Sequence, residues 1–146
     1  MTQLSTHFTL EELIRSDKAR ELGNDNLPGP EHMENLRRLA AGLEAVRMIC
    51  GNVPMTITSG YRNPVVNQAV GGVWNSAHAL GLAADFHVAG LADHTAASKI
   101  RDSDLKFDQL ILEEGRCVHI SFDPAMRRQV LRQPGGPGSP CYEGLG

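Results

Sequence analysis

Apolar residues recur at steps of three and four positions between residues 31 and 50, as they do on one face of an α-helix. They are Met33, Leu36, Leu39, Ala40, Leu43, Val46 and Ile49. Pro30 suits the first turn of a helix and Gly51-Asn52 suits its end, so the pattern predicts one long amphipathic helix. Thr9, followed three residues later by Glu12, has the pattern of a helix N-cap and predicts an earlier helix that ends before Gly23.

Shorter apolar segments bounded by turn-forming residues predict the strands of a sheet. These strands are predicted at residues 55–59, 83–88, 107–113 and 117–122. Glu114-Gly115-Arg116 separates the last two strands and predicts a hairpin. Short helices are predicted at residues 63–70 and 93–101. This order of elements indicates an α+β fold with a small, largely antiparallel sheet flanked by helices.

The C-terminal part of the chain has a different composition. Residues 134–140 read Pro-Gly-Gly-Pro-Gly-Ser-Pro, a low-complexity run with almost no apolar surface to offset the entropy lost on ordering. We therefore predict one domain over residues 1–123 and a C-terminal extension over residues 124–146 that contains a flexible tail.

Composition and charge narrow the class of protein. The 146 residues suit one domain with a core, and 41% hydrophobic with 21% charged residues is an ordinary balance for a soluble protein. The net charge of -3 lacks the basic footprint of a nucleic-acid-binding protein, and no apolar run is long enough to span a membrane. Residues 1–5 lack the basic start of a signal peptide, so we expect synthesis in the cytoplasm. The sequence gives no indication of oligomeric state.

Two histidines and one aspartate form the strongest candidate site. His78 and Asp85 lie on either side of Gly81, and His119 lies in a later predicted strand. Imidazole and carboxylate groups suit zinc, and three protein ligands leave a fourth position open, as in catalytic zinc sites. A turn at Gly81 followed by a strand would bring His78 and Asp85 together. We therefore predict one zinc ion bound by His78, Asp85 and His119.

The segment Ser76–Asp85 reads Ser-x-His-x-x-Gly-x-Ala-x-Asp and resembles the signature of the M15 family of zinc D,D-carboxypeptidases and L-alanyl-D-glutamate peptidases. His119 matches the third ligand of that family, and Thr58–Asn63 resembles its Ser-Gly-x-Arg segment. The resemblance covers about residues 8–122. It implies the fold shared by D,D-peptidases and hedgehog-type domains, and hydrolysis of peptide bonds in peptidoglycan stem peptides.

The resemblance also bears on where the protein acts. A small chain without a signal peptide or membrane segment resembles a phage lysis enzyme, which reaches the cell wall only after release or export.

A zinc peptidase needs a general base, and Glu113 and Glu114 both lie shortly before His119. The M15 family has an acidic residue or a histidine in this region. Strand alternation brings Glu113 beside the face of His119, so Glu113 is the predicted base, although a slip of one residue would exchange it with Glu114. His87, on the same predicted strand face as Asp85, is either the next candidate or an exposed residue.

Arg62 and Ser76 are the predicted substrate-binding residues. Arg62 matches the arginine of the family's Ser-Gly-x-Arg segment, and its planar guanidinium suits a substrate carboxylate or the oxyanion of the transition state. Ser76 either binds the substrate carboxylate or caps the turn of the motif. Cys117 shares the predicted strand face of His119, which makes its thiolate a rival metal ligand.

Two functions of different classes fit this sequence. The first is a zinc peptidase in which Glu113 and Arg62 are catalytic. The second is a non-catalytic, zinc-containing module that binds the cell wall or has a structural role. A carboxylate close to the metal favours the enzyme, whereas a Glu113 that points to solvent favours the module.

Overall fold

Six strands form one sheet in the computed structural model, which describes residues 1–146. In chain order they are β1 (Met55–Ser59), β2 (Ala83–Val88), β3 (Gln109–Glu113), β4 (Cys117–Ser121), β5 (Gln129–Gln133) and β6 (Tyr142–Glu143). Their order across the sheet is β1-β2-β4-β3-β5-β6. Neighbouring strands are antiparallel except for β3 and β5, which are parallel. The predicted α+β fold with a largely antiparallel sheet is confirmed.

Six helices accompany the sheet. They are α1 (Leu10–Ile14), α2 (Asp17–Glu21), α3 (Pro30–Ile49), α4 (Pro64–Ala69), α5 (Ala77–Leu80) and α6 (Asp93–Arg101). The single helix predicted before Gly23 is divided into α1 and α2, because Ser16 starts a new helix by accepting a hydrogen bond from the backbone N–H of Ala19. No helix combines the length and the hydrophobicity that crossing a membrane requires.

The core lies between α3 and one face of the sheet. Leu36, Leu39 and Leu43 of α3 are fully buried in the same cluster as Phe86 of β2 and Ile120 of β4. Burial of each such side chain contributes about 1.5–3 kcal/mol relative to exposure. Because successive side chains of a strand point to opposite faces, the neighbours of these core residues in β2 and β4 face away from α3.

The C-terminal residues differ from the predicted flexible extension. Strand β5 pairs with β3, and β6 pairs with β5, so residues beyond 123 form two strands of the same sheet. The side chain of Leu145 is only 3% exposed and belongs to the central core cluster. The Gly/Pro-rich run, residues 134–140, connects β5 to β6. The predicted division at residue 123 therefore cuts through one sheet, and composition did not reveal this because backbone pairing and a few apolar side chains, among them Leu131 and Leu145, hold the segment.

Candidate metal centre

Asp85 and His119 lie directly opposite each other in the antiparallel pair β2–β4. Side chains of directly opposed residues share one face of a sheet, and Asp85 Oδ1 lies 2.9 Å from His119 Nδ1. His78 reaches the same point from α5, with Nε2 3.3 Å from Asp85 Oδ1. One ligand atom from each residue lies within 4.8 Å of the other two. The three predicted ligands are thus brought together.

The local fold of the motif explains how His78 and Asp85 meet across seven positions. Ser76 caps α5 by accepting a hydrogen bond from the N–H of Ala79 at 3.1 Å. Gly81 then ends the helix with a φ of 77°, a left-handed conformation that glycine adopts without strain. The chain turns back and enters β2 two residues later. The hydroxyl of Ser76 also donates to Asn67 Oδ1 at 3.3 Å, so Ser76 acts as a cap, and its binding of substrate stays a prediction.

The second ring nitrogen of His78 is held by the backbone. Nδ1 lies 2.8 Å from the carbonyl oxygen of Gly60, which can only accept a hydrogen bond. This contact assigns a proton to Nδ1 and turns Nε2 toward the carboxylate of Asp85. Such a backbone contact commonly orients a metal-binding histidine. The N–H of Arg62 in turn donates to the carbonyl of His78 at 3.1 Å, which ties the two loops together.

The charges of the three residues are strongly coupled. Burial alone would raise the pKa of Asp85, but the charge of His78 and the hydrogen bond from His119 hold it well below its usual range. Burial opposes the charged form of His119, yet the hydrogen bond and charge of Asp85 outweigh this effect and raise its pKa. A buried carboxylate needs a cationic partner. Two imidazole nitrogens and one carboxylate oxygen are a donor set that fits zinc and leaves a coordination position open.

Glu113 lies beside this group, and Glu114 does not. Glu113 Oε2 is 3.9 Å from His119 Nδ1, and the side chain is 16% exposed. Burial and the charge of Asp85 raise the pKa of Glu113, while the charge of His119 acts in the opposite direction. Glu114 is exposed and lies 4.0 Å from Arg132. The predicted strand register therefore agrees with the structure at this position.

Arg62 lies near enough to the two carboxylates of the site for their charges to act on it. Its Nε–H group is buried without a hydrogen-bond partner. Burial lowers the pKa of Arg62, and the charges of Asp85 and Glu113 act against this effect. The Nε–H group of Arg62 is therefore a donor that no group of the protein uses.

Cys117 and His87, the two other candidate residues of the site, have different neighbours. A ligand atom of Cys117 lies within 4.8 Å of those of Asp85 and Glu113. Burial and these two negative charges raise the pKa of the Cys117 thiol. His87 is paired with Asp93: its Nδ1 atom lies 2.9 Å from Asp93 Oδ1.

The sequence analysis missed Asn26, which supports the loop that carries Arg62. The buried Asn26 side chain donates to the carbonyl of Tyr61 at 2.8 Å and to that of Ile14 at 2.7 Å. Its Oδ1 accepts from the N–H of Asn63 at 2.8 Å. Asn26 itself has a φ of 55°, a conformation that asparagine tolerates better than most residues. An isolated asparagine in a loop gives no sequence signal for such a role.

Comparison with known proteins identifies the family of this chain. No curated protein sequence matches the chain. The family model described as Peptidase M15 matches residues 6–121, which include Arg62, His78, Asp85, Glu113 and His119. Because the match covers most of the chain, this protein belongs to the M15 family of peptidases.

Proposed function

We propose that this protein is a zinc-dependent peptidase that hydrolyses peptide bonds in the stem peptides of peptidoglycan. The observation that carries the proposal is the convergence of His78 Nε2, Asp85 Oδ1 and His119 Nδ1 next to the carboxylate of Glu113. Peptidase activity follows from the family. The choice of peptidoglycan is supported by the likeness of Ser76–Asp85 to the D,D-peptidase signature and by the substrate carboxylates that Arg62 is suited to bind.

The ligand residues and the base divide the chemistry between them. His78, Asp85 and His119 would hold the zinc ion, which when bound supplies a Lewis acid for the scissile carbonyl and lowers the pKa of a water molecule. Glu113 takes a proton from the attacking water and delivers it to the nitrogen of the leaving group. Its position 3.9 Å from His119 keeps the carboxylate close to the reacting atoms.

Arg62 supplies the complementary positive charge. The planar guanidinium of Arg62 suits a substrate carboxylate or the oxygen that gains negative charge in the transition state. The backbone N–H of Arg62 is tied to the carbonyl of His78, so the substrate-binding group and a metal ligand are positioned by one local contact. Ser76 lies two residues from His78 and borders the same region.

A non-catalytic cell-wall-binding module is the second candidate function. Such a module needs the three ligands but has no use for a carboxylate beside them. Glu113 is largely buried beside His119, whereas Glu114, the next residue along the chain, is exposed. This contrast favours the enzyme.

Digestion of purified muropeptides tests the proposal. The zinc-loaded protein is incubated with muropeptides of defined length, and the products are identified by mass spectrometry, which also reveals the bond that is cut. Glu113→Gln should lose about 10²–10⁴-fold in rate with zinc still bound. Glu114→Gln is the matched control and should keep the wild-type rate. Binding of muropeptides without cleavage would favour the module, and cleavage of unrelated peptides alone would overturn peptidoglycan as the substrate.

A further inference from the structure

Arg116 connects the carboxylate of Glu113 to the C-terminal strand. Its Nη1 atom lies 3.1 Å from Glu113 Oε1, and its Nη2 atom donates to Gln133 Oε1 at 2.6 Å. Gln133 is the last residue of β5 and pairs with Glu113 in the parallel register of β3 and β5. Its amide nitrogen donates to the carbonyl of Ser139 at 2.9 Å, in the run between β5 and β6.

The two oxygens of Glu113 have different neighbours. Oε1 is held by Arg116, and the other oxygen, Oε2, is the one 3.9 Å from His119. A guanidinium is planar and presents its donors in a fixed fork, so a contact made by one nitrogen orients the other. Gln133 thereby fixes the plane of the group that holds Glu113.

The contacts of Arg116 lie partly outside the segment shared with the family. The family match ends at residue 121, whereas Gln133 and Ser139 lie beyond it. The C-terminal strand β5 therefore contributes to the surroundings of Glu113 through a side chain that the family comparison does not cover. The Nε–H group of Arg116 is buried without a partner, so the two terminal nitrogens carry its side-chain contacts.

We propose that Arg116, held in place by Gln133, is a positioning residue that orients Glu113 for proton transfer. The inference rests on the proposed role of Glu113 as the base. The competing interpretation is a purely structural clamp that attaches β5 to the β3–β4 hairpin. The two interpretations predict different effects on kcat. A positioning residue affects kcat only through Glu113, whereas a clamp affects the folded structure and therefore kcat even when Glu113 has been replaced.

A double-mutant cycle separates the two interpretations. The values of kcat and KM are measured for zinc-loaded protein on any peptide that the wild type cleaves. Arg116→Ala should lower kcat about 10–100-fold, the range for residues that support a metal site, with KM and zinc content unchanged. Arg116→Lys keeps the charge but cannot reproduce the planar fork, so it should recover only part of kcat. In a Glu113→Gln background, Arg116→Ala should cause no further loss.

Two further variants test whether the effect on kcat is specific to the contact between Gln133 and Arg116. Gln133→Ala leaves Arg116 in place and should lower kcat in the same direction but by less. Arg132→Ala is the matched control, because Arg132 lies on the same strand and contacts Glu114 and the ring of Tyr142. It should leave kcat unchanged.

The outcomes that would overturn the inference differ from those that would overturn the proposed base. Equal losses from Arg116→Ala in the wild-type and Glu113→Gln backgrounds would identify a structural clamp and reject positioning. Full activity of Arg116→Ala alongside an impaired Glu113→Gln would reject the inference and keep the base. Full activity of Glu113→Gln would reject Glu113 as the base, and with it this role of Arg116.

Discussion

The carbonyl oxygen of Gly60 accepts a hydrogen bond from Nδ1 of His78 at 2.8 Å. The position of this carbonyl depends on the absence of a side chain at residue 60, because a Cβ atom there would overlap the backbone carbonyl of Leu13. That carbonyl accepts a hydrogen bond from the N–H of Tyr61 at 2.8 Å, so the end of α1 is packed directly against the glycine that orients His78.

Gly60→Ala should therefore weaken metal binding although residue 60 is no ligand. The added methyl group displaces the loop from Leu13 and moves the carbonyl away from His78. Loss of such a supporting contact commonly costs about 10–100-fold in metal affinity, which competition with a chelator measures. Gly29→Ala is the control, because a Cβ at Gly29 meets no atom within 4 Å. Equal zinc affinity of Gly60→Ala and wild type would reject this role for the carbonyl.

Zinc should stabilise the protein through His78 and His119. A ligand that binds only the folded state adds about 2.7 kcal/mol at a free concentration of 100 Kd. Thermal unfolding of metal-free protein should move to higher temperature when zinc is added. The double variant with His78→Ala and His119→Ala should show no such shift and no stoichiometric zinc in metal analysis. Zinc retained by this variant would place the metal elsewhere.

Arg62→Lys should impair turnover and leave the zinc content unchanged. Lysine keeps the positive charge but loses the planar fork that binds a carboxylate through two hydrogen bonds. Removal of one donor that stabilises a developing oxyanion typically costs about 10²–10³-fold in kcat. Arg37→Lys is the control, because Arg37 is exposed on α3 and contacts only Glu34. Steady-state kinetics measure the turnover. Wild-type activity of Arg62→Lys would reject a role of Arg62 in the reaction.

The ion pair of Asp108 and Arg127 should make stability depend on acid pH. Asp108 is buried and accepts hydrogen bonds from Nε and Nη2 of Arg127, both at 2.8 Å, which lower its pKa. A carboxylate with a lowered pKa in the folded state adds stability above its unfolded value of about 3.9, and the gain is lost as pH falls through the folded pKa. The stability difference between wild type and Asp108→Asn should be full near pH 7 and shrink below about pH 4.

Urea unfolding at several pH values measures this difference. Asp102→Asn is the control, because Asp102 pairs with Arg101 at an exposed position, where ion pairs contribute little. A difference that stays constant from pH 7 to pH 3 would contradict the assignment to Asp108.

Leu145→Ala should destabilise the protein even though residue 145 is the penultimate position. Replacing a buried leucine by alanine typically costs about 2–5 kcal/mol, and Leu145 is 3% exposed within the core cluster. Chemical unfolding measures the loss. Leu27→Ala is the matched control, since Leu27 is 62% exposed. Equal stability of Leu145→Ala and wild type would restore the interpretation of the C-terminus as a flexible tail.

Local patterns in the sequence were sufficient for most of the secondary structure. The helical repeat from Met33 to Ile49 predicted α3, because burial of one helix face imposes a period that the sequence carries directly. The three-residue turn between Glu113 and Cys117 allowed the faces of the hairpin to be assigned, because a short turn restricts the register of the two strands it joins. The motif spacing likewise identified His78 and Asp85.

Contacts between distant parts of the chain were decided only by the tertiary structure. The carbonyl of Gly60 reaches His78, Gln133 reaches Arg116, and Leu145 enters the core. Gln133 and Leu145 stand in no periodic pattern or motif, and the Ser-Gly-x-Arg segment that contains Gly60 does not show which side chain its carbonyl contacts. Their roles arise from how the strands pair and how the loops pack, and each depends on positions that are far apart in sequence. By itself the sequence determined most of the helices and strands, because these are local properties of the chain, and its motif spacing predicted His78, Asp85 and His119 as ligands. The support of the ligands and the docking of the C-terminus depend on long-range packing, which local patterns do not encode.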